Sequence, residues 1–311
     1  MPEYFDDEKL AANRPGFYSP TVPEFADDDL ATWLKRGLWS RWLVKAGQRG
    51  EFSEPDESQL AKGLARLSHM NDPRLLRRLI ELLDGNSGPS ELERDEMRLA
   101  MMHSSLWSRE EVTLEDAERR LGANSSARED LASLLRYLLQ HSRVRVGAVD
   151  AVAPCLTPHA MYTRDEAMIG LGQWRLESPR NLREGVVHIP AQRIDAFFVT
   201  LNKSENTFSQ TTMYHDYAMS DRLFHWQTQN SAIPERGVGK RYITHRETGY
   251  TPLLFVRENQ RLRSGFSEPF VYLGPCDFVS FTGRKPMSMV WRLRHAMPAR
   301  VLRIAAKQAV A

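Results

Sequence analysis

Between Phe197 and Gln229 the chain reads FFVTLNKSENTFSQTTMYHDYAMSDRLFHWQTQ, interleaving seven aromatic rings with amides, hydroxyls, two histidines and Asp216. Burying the carboxylate and amides is costly unless each finds a partner, and exposing the rings forfeits their hydrophobic gain. The mixture suits a pocket for a flat polar group, with rings for its faces and donors and acceptors for its edge. A nucleobase has that shape and that chemistry. Tyr214 and Tyr217 would stack on the base, with Phe208 as a further ring, while Asp216 accepts from an exocyclic amine such as cytosine N4 or adenine N6. Ser220, His225 and Gln227 supply further donors and acceptors. Trp226 is either the pocket floor, where it would meet a methyl group, or core, because Leu223-Phe-His-Trp226 alternates as a strand does.

Basic residues complete a nucleic-acid reading. Lys203, Arg241, Arg246, Arg257, Arg284 and Lys285 lie in or next to expected turns, where they would reach phosphates flanking an extruded nucleotide. The formal net charge of +2 hides an asymmetry: residues 1–150 carry 21 Lys and Arg against 27 Asp and Glu, and residues 151–311 carry 21 against 13. The second part, which holds the aromatic stretch, is therefore the one that attracts polyanions.

Other chemistries lack their residues. Gly237-Val-Gly-Lys240 has no upstream glycine and is followed by Arg241, so it reads as a hairpin turn and not as a phosphate loop. There is no HExxH and no paired Cys/His set, and no metal or cofactor is expected. Glu184, Asp195, Glu247 and Glu258 have no ligand spacing, yet they keep a metal-dependent nuclease open as a rival, as His215 and His225 do for a base-modifying enzyme. A second rival is an interaction module whose acidic part docks one partner and whose basic part binds another protein.

The elements that would hold these residues fall into three spans. Residues 1–29 contain Pro2, Pro15, Pro20 and Pro23 among acidic clusters and read as an extended arm or linker. Residues 30–145 carry apolar side chains at three- and four-residue spacing, in Leu30 to Leu43, Leu60 to Leu67, Leu75 to Leu83 and Leu131 to Leu139. Asp72-Pro73 and Thr113 look like helix starts. This span is expected to be an all-helical connector; a DNA-binding helix pair within it is disfavoured by its negative charge. Residues 146–311 begin with a short helix near Tyr162–Met168 and then turn to period two: Val186–Ile189, Phe197–Leu201, Leu253–Val256, Phe270–Leu273, Phe278–Phe281 and Met287–Leu293. The expected class is α+β: helices, then a mostly β, barrel-like domain closed by a helix over Ala299–Ala309. In the last strand Arg292 and Arg294 point away from the core.

At 41% hydrophobic and 26% charged residues the chain has the composition of a globular protein, and no apolar run is long enough to cross a bilayer. The start, MPEYFDDEKL, does not read as a secretory signal. Cys155 and Cys276 stand far apart in sequence, so reduced thiols in a cytoplasmic protein are expected.

Seven segments in order resemble a known family. Tyr162-Thr-Arg-Asp-Glu-Ala, Arg183-Glu-Gly-Val, Phe198-Val-Thr-Leu-Asn-Lys-Ser, Phe208-Ser-Gln-Thr-Thr-Met-Tyr with Asp216-Tyr217, Leu223-Phe-His-Trp-Gln, Leu254-Phe-Val-Arg and Pro286-Met-Ser-Met-Val-Trp-Arg-Leu are similar to the domain of unknown function 3427. That domain follows the motor in superfamily 2 helicase proteins such as SauUSI-like type IV, modification-dependent restriction enzymes. The resemblance implies a PUA/SRA-like target-recognition domain for double-stranded DNA carrying a modified base, with 5-methylcytosine the leading ligand. It also implies a helicase motor and nuclease as partners, fused or in trans, because this sequence carries neither set of motifs. No catalysis is then expected of this chain.

Overall fold

The computed structural model describes residues 27–86, 92–108, 110–173, 176, 185–202 and 216–307. The arm expected over residues 1–29 falls outside them up to residue 26, as do the candidate residues Lys203, Phe208 and Tyr214. The chain divides into two compact units: Met1–Val146 with Asp165–Arg180 and Arg263–Phe266, and Gly147–Arg164 with Asn181–Leu262 and Ser267–Ala311. Helices come first, then a mixed sheet, then a last helix, which makes the class α+β.

The described helices of the first unit are α1 (Asp27–Leu34), α2 (Trp39–Lys45), α3 (Glu57–Leu67), α4 (Pro73–Leu83), α5 (Leu92–Leu106), α6 (Leu114–Gly122) and α7 (Ser125–His141). What the spacing suggests as one apolar helix over residues 30–43 is two, because the chain turns at Gly37, whose φ of 157° suits glycine. Trp33 then stacks on Trp42 at 5.1 Å and tilts against Trp39 at 5.4 Å. The helix starts are sound: Asp72 accepts from the backbone N–H of Arg74 and Leu75, and Thr113 from that of Asp116. Gly63 lets α3 and α5 close up, since a Cβ there would lie 2.7 Å from Leu106 Cα.

The short helix expected near Tyr162–Met168 is α8 (Arg164–Gly170), shifted by two residues because Met161–Tyr162 forms a short strand, β1. Glu166 is fully buried in the helical unit, where its carboxylate accepts from Ser105 Oγ at 2.8 Å and lies 2.8 Å from His69 Nε2.

The second unit is built on β2 (Val186–Ile189), β3 (Ile194–Thr200), β4 (Tyr217–Ala218), β5 (Leu223–Gln227), β6 (Thr251–Arg257), β7 (Phe270–Thr282) and β8 (Ser288–Leu293). Hydrogen bonding runs in the order β2-β3-β6-β7-β8-β5-β4, with β1 also on β7. The path is a line; among the described residues its ends, β2 and β4, do not pair, so the expected barrel is an open sheet here. β3 and β6 are parallel and the other pairs antiparallel. The two strands expected at Phe270–Leu273 and Phe278–Phe281 are halves of β7. Its first half pairs β6 and its second half pairs β8, with the change near Gly274-Pro275, so one strand serves two parts of a bent sheet.

Gly237-Val-Gly-Lys240, expected as a hairpin turn, opens the helix α9 (Gly237–Ile243). Gly237 enters it at φ 60°, and a Cβ on Gly239 would collide with the Ile233 carbonyl and lie 2.8 Å from Met287 Sδ. Close packing under the sheet, invisible in local composition, decides this segment. α10 (Ala299–Lys307) ends the described chain. The core beneath the sheet gathers Phe197, Phe224, Trp226, Tyr242, Leu254, Leu273, Met289 and Trp291. No helix among the described residues is long and apolar enough to cross a membrane.

Candidate nucleic-acid interface

Strand alternation sorts the aromatic stretch into two faces. Along β5, Phe224 and Trp226 are buried while Leu223, His225 and Gln227 are only partly so, and along β8 Met289, Trp291 and Leu293 are buried while Ser288, Val290 and Arg292 are not. Register joins the outward residues into rows, because directly paired residues share a face. One row is Tyr217, His225, Val290 and Ser280; a second is Gln227, Ser288 and Thr282; a third is Leu223, Arg292 and Asp277. Three of the residues expected to contact a base, Tyr217, His225 and Gln227, therefore come together on the outward face of β4-β5-β8.

Their geometry suits a flat ligand. The Tyr217 and His225 rings stack at 4.7 Å with 20° between planes. Gln227 Nε2 donates to Ser288 Oγ at 3.3 Å across the strands, which orients an amide bearing both a donor and an acceptor. At the end of the third row, Asp277 is shared by Arg246 at 3.3 Å and Arg294 at 3.2 Å. Against the pull of burial, the hydrogen bonds from those two guanidiniums hold the Asp277 carboxyl below the usual carboxylate range. With Arg292, also exposed, this end of the face gathers three cations, with Asp277 and Asp150 as the carboxylates that act on Arg294.

Other expected site residues have structural employment. Trp226 is 6% exposed and stacks on Phe197 at 4.5 Å inside the core, which settles its two readings in favour of core. Asp216 is buried, and its Oδ1 accepts the backbone N–H of Gln227 at 2.9 Å, where it pins the start of β4 to the end of β5. Ser220 closes the turn between those strands by accepting from the N–H groups of Arg222 and Leu223.

Arg241, expected on a phosphate, is committed elsewhere. Its Nε and Nη2 each donate at 2.9 Å to the two oxygens of Asp195, which is fully buried on β3. A carboxylate withdrawn from water needs such a partner. His188 Nδ1 lies 3.0 Å from Asp195 Oδ1, and the His188 ring stacks on Tyr250 at 5.3 Å. Of the residues held open for an enzymatic rival, Glu184 and His215 lie outside the described residues; among the described residues no group of three or more His, Cys, Asp or Glu could hold a metal ion.

Of the remaining basic residues, Arg284 is exposed at the β7–β8 turn and pairs with Glu235 at 3.2 Å, and Lys285 is exposed beside it with φ 62°. Arg257 is half-buried at the end of β6 over the Phe270 ring, 4.4 Å from its centroid. Arg292 and Arg294 were legible as outward residues from the alternation of the last strand, though not as neighbours of Tyr217 and His225. Arg164, inside an expected helix, carried no signal of its own.

Residues 156–304 match the family model described as Domain of unknown function (DUF3427). The matched span holds the eight described strands and thus the outward face built on them, and the description assigns it no activity. No curated protein matches the chain. Of the two cysteines read as reduced thiols, Cys276 lies within the matched span and Cys155 just before it; both are buried and free.

Proposed function

We propose that this chain is a DNA-binding target-recognition module that reads a modified base in duplex DNA, with 5-methylcytosine the leading ligand, and that it performs no catalysis itself. The observation that carries the reading is the outward row of Tyr217 and His225 beside Gln227, with Arg246, Arg292 and Arg294 at the end of the same face. Stacking rings accept any base, an amide selects among base edges, and the arginines fix register through phosphate. The faces of a base inside a duplex are covered by its stacked neighbours, so stacking it on these rings requires extrusion.

The motor and nuclease of a modification-dependent restriction system are the proposed partners, fused or in trans, on the strength of the motif resemblance and the DUF3427 match. A methyl group contributes on the order of 1 kcal/mol by apolar contact, so discrimination beyond roughly tenfold must come from the shape of the site around it. The test is fluorescence-anisotropy titration of the chain with matched duplexes containing cytosine or 5-methylcytosine, each at two salt concentrations. Preference for the methylated duplex that persists as salt rises supports the reading. No binding at low salt favours the interaction-module rival, and metal-dependent cutting the enzymatic one.

A further inference from the structure

The parallel strands β3 and β6 end side by side, with Thr200 opposite Arg257 in the last registered pair. The Arg257 guanidinium is half-buried there, and among the described residues its hydrogen bonds go to neutral acceptors. Nε donates to Thr200 Oγ1 at 2.9 Å, and Nη1 lies within reach of Ser267 Oγ at 3.0 Å and the carbonyls of Glu268 at 3.2 Å and Gln260 at 3.4 Å. Nη2 makes no hydrogen bond among the described residues. No carboxylate of the described residues comes within ion-pair distance either. Glu268, whose backbone carbonyl Arg257 reaches, turns its carboxylate oxygens to the backbone N–H groups of Glu258 and Asn259, at 3.2 and 2.9 Å.

A second cation stands beside the first. The Arg164 guanidinium lies 4.8 Å from the centroid of Phe198 and 5.8 Å from that of Phe270, the ring that Arg257 also covers. Burial, and then the charge of Arg164, push Arg257 down to about 10, which leaves it a cation at neutral pH. Two guanidiniums gathered at one aromatic ring, one of them half-withdrawn from water with no ion pair among the described residues, is an arrangement that an anion relieves. The planar fork of an arginine matches the oxygens of a phosphoryl group.

We propose that Arg257, with Arg164 beside it, forms a binding site for a phosphate-class anion at the carboxyl ends of β3 and β6. The site stands apart from the outward face of β4-β5-β8, and its existence does not require that face to read a base. Only its assignment to a phosphodiester of DNA rests on the reading proposed above.

The experiment compares thermal denaturation of the full chain in sodium phosphate and in sodium chloride at matched ionic strength, for the wild type, Arg257→Gln, Arg257→Lys and Arg164→Gln. Phosphate should raise the wild-type midpoint in a saturable way. Arg257→Gln should weaken the apparent phosphate affinity at least tenfold, and Arg257→Lys, which keeps charge without the fork, severalfold. No specific phosphate response in the wild type overturns the site, and so does an equal response in wild type and Arg257→Gln. If Arg257→Gln does not fold, the wild-type comparison and Arg257→Lys still decide. An anisotropy arm with unmethylated duplex separates the sources. Loss of duplex affinity with a salt slope shallower by about 1 assigns the site to the DNA backbone. A lost phosphate response with unchanged duplex affinity assigns it to a free phosphorylated ligand, and leaves the base-reading proposal standing.

Discussion

Replacing Arg241 by Gln separates a structural arginine from a DNA-contacting one. Asp195 is fully buried on β3 and both of its oxygens accept from Arg241, whose side chain is 19% exposed. Removing one partner of a buried ion pair costs about 3–5 kcal/mol, chiefly because the other charge stays buried without compensation. His188, hydrogen-bonded to the same carboxylate, softens the loss, so the lower end of that range is expected. At about 2–4 °C per kcal/mol for a unit of this size, roughly 3 kcal/mol lowers the melting midpoint by about 6–12 °C. The assay is urea and thermal denaturation of Arg241→Gln, with Asp195→Asn/Arg241→Gln as its partner. The double variant removes both charges and should recover more than half of the loss. A single variant within about 1 kcal/mol of wild type, but with weakened duplex binding, would refute the structural assignment and put Arg241 on phosphate.

Further expectations follow from the sorting of rings and from buried groups. Trp226→Ala should destabilise by about 3–5 kcal/mol through cavity formation, whereas Tyr217→Ala should leave the urea midpoint nearly unchanged and weaken binding by about 1–3 kcal/mol per lost stack; the opposite pattern would reverse their roles. Glu166→Ala strands His69 and Ser105 inside the helical unit and should cost about 3–5 kcal/mol by urea denaturation. His245 donates from Nδ1 to the Tyr250 carbonyl and accepts at Nε2 from the Phe278 N–H, so it is neutral in the fold, and burial lowers its pKa. The unfolded chain then takes up a proton first: stability is full above about pH 6.5 and falls as pH drops from there toward the depressed folded value. Urea midpoints at pH 7.5 and 5.5, in wild type and His245→Gln, measure that share of the acid loss, which the variant should lack.

Much of the fold is written in periodicity. The helical spacing, the caps at Asp72 and Thr113 and the alternation of Leu223 to Gln227 each report on a local free energy, and each corresponds to an element in the structure. Where reading failed, the deciding contact was distant. Glycines at 237 and 239 argue for a turn until Gly239 is seen packed on Ile233 and Met287. Gly274-Pro275 looks like a strand break, yet the chain merely exchanges one neighbour for another there.

The candidate site was legible as a neighbourhood and not as a set of roles. Seven rings in one stretch mark a place where core and surface meet, and only register tells that Tyr217 and His225 face outward while Phe224 and Trp226 do not. Asp216 has the chemistry to read an amine, but its Oδ1 accepts from the backbone of Gln227. The pairing of Asp195 with Arg241 joins residues far apart in the chain, and no spacing rule connects them.

The most direct measurement of the central claim is the ratio of affinities for duplexes that differ by one 5-methyl group, taken at low and at high salt for wild type and Tyr217→Ala. The account predicts a wild-type preference for the methylated duplex that survives the rise in salt and collapses in Tyr217→Ala, while the non-specific, salt-sensitive component remains. Equal wild-type affinities for the two duplexes at both salts would contradict it.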